Sequence, residues 1–367
     1  MSDQQNHNPD ANEAFVAPEY PYEPANVSDL DLRVALIGCG AIARNSHLPA
    51  YDAAGIDVVA FCDIDGERAR KARDSFDPEG DVYTDAADVY AREDVDVVDI
   101  ATHPEPREAL IEDALNAGKH VLSQKPFVID LDAGERLVTL AREQGVKLAV
   151  NQNGRWSPHF SYARHAVADG LLGDLMGAHL AVHKDFHWVA DSGFDDIPHL
   201  VLYDYAIHWF DMVACLFRGR EPRRVYASTA HSPSQQATPP LLGQAVIEYE
   251  GAQVSLIVDG NVRHGMKAEN YIAGTEGTIE TSGPDIGDQT VTVHTNGGTA
   301  RPKLVGGWSM NGFQGPMAEL LESVKEDHEP SNSGADNLRS LELCFAAVAS
   351  AEDGEPKTPG EERRPPL

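Results

Sequence analysis

The chain has 367 residues, 59 acidic against 29 basic, for a formal net charge of -30, with 42% hydrophobic and 7% aromatic content. That length holds two domains with a sizeable core, and the composition excludes a fibrous or wholly disordered chain. The acidic balance excludes a nucleic-acid partner, because phosphate is held by clustered Lys and Arg.

The acids are spread in short groups such as Asp94-Val95-Asp96, Asp195-Asp196 and Glu361-Glu362. This is the surface of a protein from a high-salt cytoplasm, where ions screen the self-repulsion. Cys39, Cys62, Cys215 and Cys344 are far apart and read as reduced core thiols. No apolar run reaches the roughly 18 residues of a membrane span. The first residues show no basic stretch followed by an apolar one. A soluble, cytoplasmic protein with no membrane partner is expected.

Residues 1–30, rich in Asn, Gln, Asp, Glu and Pro, read as an acidic tail that stays disordered or drapes over the surface. The apolar run 34–37 then ends in Gly38-Cys39-Gly40-Ala41-Ile42-Ala43, the pattern of a strand, a tight turn and a helix start. Gly38 permits a positive φ, Gly40 lets backbone approach a pyrophosphate, and small Ala43 lets the helix pack on the strand. The helix start at Ala41 and Ile42 offers free N–H groups to an anion. A second apolar run, 58–62, ends in Asp63, placed to accept hydrogen bonds from a ribose hydroxyl. Together they predict a nicotinamide dinucleotide site, NAD in preference to NADP.

Helix and strand patterns then alternate: helix 66–76, a strand near Val82, strand 95–100 ending at Thr102-His103, helix 107–117, strand 120–122, helix 131–144 and strand 146–150. Such alternation predicts an α/β fold with a doubly wound parallel sheet, a Rossmann domain over 31–150. Ligands of these sheets lie off the carboxyl ends of the strands, where Gly38, Asp63, Thr102, His103 and Gln124 fall.

From residue 151 the alternation breaks. Asn153, Arg155 and Trp156 form a polar and aromatic cluster suited to a hydroxylated substrate. A strand over 176–187 places His183, Asp185 and His187 on one face, with His199 and His208 later. No HExxH or CxxC spacing accompanies them, so no metal is expected. Over 202–211 a helix would bring Asp204, His208 and Asp211 onto one face. Strands over 224–230, 244–249, 254–258, 270–273, 278–280 and 290–294 predict a large, mostly antiparallel open sheet, making 151–352 an α+β domain. A final helix over 337–351 turns Leu338, Leu341, Phe345 and Val348 inward. The charged, Pro-rich residues 353–367 read as a mobile tail.

The turn Ser123-Gln124-Lys125-Pro126-Phe127, with the glycine turn, resembles the Glu-Lys-Pro signature of the glucose-fructose oxidoreductase, inositol dehydrogenase and rhizopine catabolism (MocA-like) family. The resemblance runs over residues 32–351. It implies an NAD-dependent oxidoreductase moving a hydride between nicotinamide and a sugar or polyol carbinol, with Lys125 touching both substrate hydroxyl and nicotinamide. Gln124 stands where the family has Glu; it can still bond a nicotinamide ribose but supplies no charge. Residues 204–211 are similar to the family's Asp-x-Gly-x-His-x-x-Asp element, with Ala206 in place of Gly. This implies His208 as general base, with an ordinary pKa near about 6.5, Asp204 as its substrate-positioning partner and Asp211 as structural. It also implies that a second subunit covers the open sheet, giving a homodimer or homotetramer. Two other readings stay open: an enzyme of the same fold using transient oxidation for glycoside cleavage or epimerisation, and a non-catalytic NAD-sensing protein, which the missing acid at 124 favours.

If the acidic surface is a high-salt adaptation, Tm should climb by several degrees between low salt and molar KCl. A flat curve in a thermal-shift titration would remove the halophilic reading.

Overall fold

The computed structural model describes residues 15–77 and 79–366. Six strands form the first sheet: β1 (Val34–Ile37), β2 (Val58–Cys62), β3 (Asp81–Tyr83), β4 (Val97–Ile100), β5 (His120–Gln124) and β6 (Leu148–Asn151). They pair in parallel in the order β3-β2-β1-β4-β5-β6. The connecting helices are α1 (Leu48–Ala54), α2 (Gly66–Phe76), α3 (Ala86–Tyr90), α4 (Pro104–Asn116) and α5 (Leu131–Gln144). Asp65, Asp85 and Asp130 each cap a helix by accepting a backbone N–H, which fixes where α2, α3 and α5 begin. Helix α4 starts at Pro104, three residues earlier than expected, because proline suits a first helical turn where its missing N–H costs nothing. The chain reverses direction across the sheet between β1 and β4, so the glycine turn and Thr102 flank one crevice.

The second sheet contains β7 (Leu175–His183), β8 (Pro222–Ala230), β9 (Leu242–Tyr249), β10 (Ala252–Asp259), β11 (Lys267–Gly274), β12 (Gly277–Gly283), β13 (Thr290–Thr295) and β14 (Gly298–Ala300). Its order is β14-β13-β12-β11-β7-β10-β9-β8, antiparallel except for the β7–β10 pair. Apolar side chains alternate inward along each strand, as Val225, Ala245, Val254 and Ile272 do. They meet α6 (Pro158–Ala168), α7 (Ile207–Leu216) and α9 (Gly334–Asp353) in one core. On the opposite face Tyr226 opposes Val246 and His179 opposes Tyr271, and Tyr226, Val246 and Tyr271 stand open to solvent.

Helix α8 (Trp308–Glu326) crosses back. Its Met317, Ala318, Leu320 and Leu321 share a core with Val34, Leu36, Phe61, Val97 and Leu122, so it covers one face of the first sheet. The sequence boundary at residue 150 therefore does not close the first domain. One of the two tails also differs from expectation. Tyr20 packs edge-on to Tyr162 at 5.1 Å and donates to Asp169 at 3.1 Å, and the Tyr22 hydroxyl accepts from Val305 N–H at 3.0 Å. Residues 15–30 thus drape over the surface, while 1–14 lie outside the described residues. At the other end Lys357 exchanges two 2.8 Å backbone bonds with Val225, and Arg364 pairs with Asp130 at 2.6 Å. Residues 354–366 are docked, not loose.

A 3₁₀ turn, Asn153–Trp156, leads from β6 into α6, and here the expectation for Arg155 and Trp156 fails. Arg155 has no exposed surface. Its Nε and Nη2 donate to the two oxygens of Asp211 at 2.6 Å each, Nη2 meets Asp336 at 2.8 Å, and Nη1 donates to Ser331 O at 2.6 Å. Burial opposes the charge, but Asp211 outweighs it and holds the guanidinium well above its ordinary pKa. Trp156 lies beneath α8, so close that a Cβ on Gly315 would fall 2.1 Å from its Cγ. Both side chains are buried. Replacing Arg155 by Met would strand the two carboxylates, at a cost of about 3–5 kcal/mol in urea unfolding; a loss under about 1 kcal/mol would show that the cluster bears no such load.

Candidate active site

Gly38 has φ +91°, and a Cβ there would come within 2.9 Å of Ala101 C, so only glycine fits. Above Gly40 nothing lies within 4 Å of a would-be Cβ, which leaves backbone open to an incoming anion. The helical path begins at Ala41 and Ile42 and widens into a π turn, Ala43–His47, before α1. Asp63 ends β2 with its Oδ2 accepting Cys39 N–H at 2.9 Å and its Oδ1 accepting Asp65 N–H at 2.9 Å. It therefore fastens the glycine turn. A forced positive φ, an open backbone cradle and an acid at the end of β2 fit a dinucleotide.

Across the crevice the loop after β5 presents Lys125. Its Nζ lies 3.0 Å from Asp204 Oδ1 and donates to Asp204 O at 2.9 Å, joining the first domain to the second. Gln124 is turned inward. Its Oε1 accepts Lys125 N–H at 2.7 Å and its Nε2 reaches His47 Nε2 at 2.9 Å, so the expected reach to a ribose is replaced by bonds within the protein. Arg107, which the sequence reading passed over, is buried and clamps this loop. Its Nη1 donates to Gln124 O at 2.8 Å and to Pro126 O, and its Nη2 donates to Thr102 O. Burial without a carboxylate in contact pulls its pKa down to about 10. Thr102 also donates to His103 O at 3.2 Å, and His103 is the extended cap of α4. An Arg in a helix otherwise reads as solvent-facing, and no local signal marked this one.

The helix expected over 202–211 is broken. A π turn, Val201–Tyr205, precedes α7, which begins at Ile207. Asp204 consequently turns to Lys125, whose charge acts on His208, while Asp211 turns away to Arg155 and is structural. His208 stands beside Trp308, with ring centroids 5.5 Å apart, and its Nδ1 is buried without a partner. The residue is half-buried, and its packing holds the ring's pKa well below the ordinary value, with the Lys125 ammonium adding to the effect. The expected value near 6.5 does not apply. Asn153 is buried nearby, its carbonyl 2.8 Å from where a Gly312 Cβ would sit. Trp308 covers Gly154 and completes an aromatic wall with Trp209 at 5.9 Å and, beyond it, Tyr205. The other histidines pair separately: His183 with Asp259 at 2.7 Å, His187 with Asp185 at 3.2 Å and His199 with Glu352 at 2.9 Å. Strand β7 ends at His183, so the expected His183, Asp185, His187 face does not form.

A Rossmann sheet with this glycine turn, joined through a lysine loop to an α+β domain, defines a two-domain dinucleotide-dependent oxidoreductase. The model of the GFO/IDH/MocA oxidoreductase family, NAD-binding Rossmann fold, matches residues 32–152, and that of the GFO/IDH/MocA C-terminal domain matches 160–280. The chain belongs to this family and binds NAD. It is 30% identical to a D-apiose dehydrogenase of Paraburkholderia graminis over 345 residues, 87% of this chain and 88% of that one. It is 25% identical to an inositol 2-dehydrogenase of Burkholderia multivorans over 70% of this chain and 75% of that one. The crystal structure of an oxidoreductase from Agrobacterium radiobacter, in complex with NAD+, L-tartaric acid and magnesium, shares the fold with a TM-score of 0.80 at 23% identity, covering 90% of this chain and 99% of that one.

Asp63 should disfavour a 2′-phosphate by like-charge repulsion, so kcat/KM with NAD should exceed that with NADP by at least about tenfold. Equal or reversed values in parallel assays would overturn this role for Asp63.

Proposed function

We propose that the protein is an NAD-dependent dehydrogenase acting on a secondary carbinol of a sugar or polyol, with Lys125 and His208 handling the substrate hydroxyl. The carrying observation is the meeting of Lys125 with Asp204 across the domain boundary, four residues before a histidine held neutral. The bound cofactor supplies the hydride acceptor, held by Gly38, Gly40, Ala41, Ile42, Asp63, Thr102 and His103. Lys125, paired with Asp204, steadies negative charge building on the substrate oxygen. His208 takes the proton. Its lowered pKa leaves the ring unprotonated through neutral pH, and the acidic limb of activity falls well below 6.5. Asn153 and the Trp308 wall bound the substrate side, in keeping with the sugar and polyol dehydrogenases among the relatives. The row of Tyr226, Val246 and Tyr271 on the open sheet supports a second copy of the chain as its cover.

NADH release from a panel including D-apiose and scyllo-inositol tests the reading, and separates it from net glycoside cleavage or epimerisation, where no NADH accumulates. His208→Ala should lower kcat by roughly 10²–10⁴-fold with NAD affinity little changed. Asp204→Asn should mainly raise KM. In Lys125→Met, NMR titration should show the His208 pKa rising toward the ordinary value, because a nearby positive charge is gone. Near-full kcat in His208→Ala would move the proton acceptor elsewhere, with Lys125 next.

A further inference from the structure

Beneath the Lys125 loop lies a chain of buried hydrogen bonds that no substrate can touch. His47, at the end of the π turn that follows the glycine turn, has no exposed surface. Five elements face it: Asp99 of β4, with Oδ2 2.7 Å from Nδ1; Tyr51 of α1, whose hydroxyl donates to the same oxygen at 2.7 Å; Gln124 of β5; Asn151 of β6, with Nδ2 3.3 Å from Nε2; and Phe313 of α8, 4.9 Å from the ring.

The direction of every bond can be deduced. A backbone N–H only donates, so the Gln124 atom facing Lys125 N–H is the amide oxygen. The NH₂ end then faces His47, and since it too only donates, His47 Nε2 must accept. The imidazole proton therefore sits on Nδ1, where the Asp99 carboxylate accepts it. Lys125 N–H to Gln124, Gln124 to His47 and His47 to Asp99 form one line of donors with no freedom to reverse. A glutamate carboxylate at position 124 would set acceptor against acceptor, a clash that only a further proton shared between the two side chains could relieve. The amide at 124 and the histidine at 47 are matched to one another.

We propose that His47, anchored by Asp99, is a positioning residue that locks the Gln124 amide and so fixes the backbone from which Lys125 reaches into the cleft. The proposal rests on the reading of Lys125 as the substrate-facing cation. On this account Gln124 is a matched replacement for the family's acid, and its presence is no sign of lost activity.

Two experiments test it. In ¹⁵N-histidine-labelled protein, which needs no substrate, the His47 ring should carry its proton on Nδ1 with Nε2 bare. A protonated Nε2 overturns the proposal. In the second experiment kcat is measured for His47→Phe, Gln124→Leu and the double variant on the substrate found in the panel. Each single change should lower kcat by roughly 10–100-fold, NAD affinity should hold within about twofold, and the double variant should be no worse than Gln124→Leu alone. Additive losses would show that His47 acts by packing only, and the proposal would fall. If His47→Phe does not fold, His47→Gln is measured on its own: its amide oxygen restores an acceptor toward Gln124, so kcat should stay within a few-fold of wild type, and a loss of roughly 10–100-fold would overturn the proposal. Undiminished activity in Lys125→Met would instead overturn the functional reading, and the nitrogen spectrum would still decide the bonding of His47.

Discussion

Sealed in the joint between the domains, the Arg155 guanidinium has no water to solvate it, and its charge is met by Asp211 and Asp336 together with the Ser331 carbonyl. Those partners sit on α7 and α9 and in the turn before α9, so satisfying one cation fixes the positions of three segments relative to the end of β6. An apolar trio of equal volume would do as well or better for stability alone. What the charges add is geometry, because a bidentate pair tolerates little change in angle. The same α7 carries His208, so the aim of that ring into the cleft is inherited from a pair it does not touch.

Two buried cations divide the labour of building the site. Arg155 sets the second domain, while Arg107 ties the loop after β4 to the loop after β5 through three carbonyls. Lys125 stands where the two frames meet and is the one cation of the three left partly open, with 18% of its side chain exposed. A group that is to meet substrate needs that access, whereas the framing cations are better shut away.

Much of the first domain was legible in the sequence. Helices α2 and α5 were located to the residue because Asp65 and Asp130 cap their starts and Gly145 ends α5 in the left-handed region. The glycine turn and Asp63 were legible for the same reason, since they are local chemistry. What was missed depends on contacts between distant residues. Helix α8 holds Pro316, Gly312 and Gly315, residues that argue against a helix. The glycines are there because the Asn153 backbone and the Trp156 ring press against that surface and leave no room for a Cβ. Arg155 beside Trp156 looked like a ligand-binding pair because its counter-charges lie far along the chain. The break at 201–205 turns Asp204 and Asp211 to different partners, and a regular helical period cannot express that.

The late return of α8 bears on how the protein is made. The sheet that holds the glycine turn emerges early from the ribosome, but the Leu36, Val97 and Leu122 face, packed by α1 and α2, stays only partly covered until residues 308–326 follow. Throughout that interval part of the dinucleotide-binding half is an open apolar surface, in need of a chaperone or at risk of sticking to its neighbours. Its core contacts also span most of the chain, which slows closure. Splitting the gene after residue 150 would therefore yield a half-covered sheet and no independent cofactor-binding module.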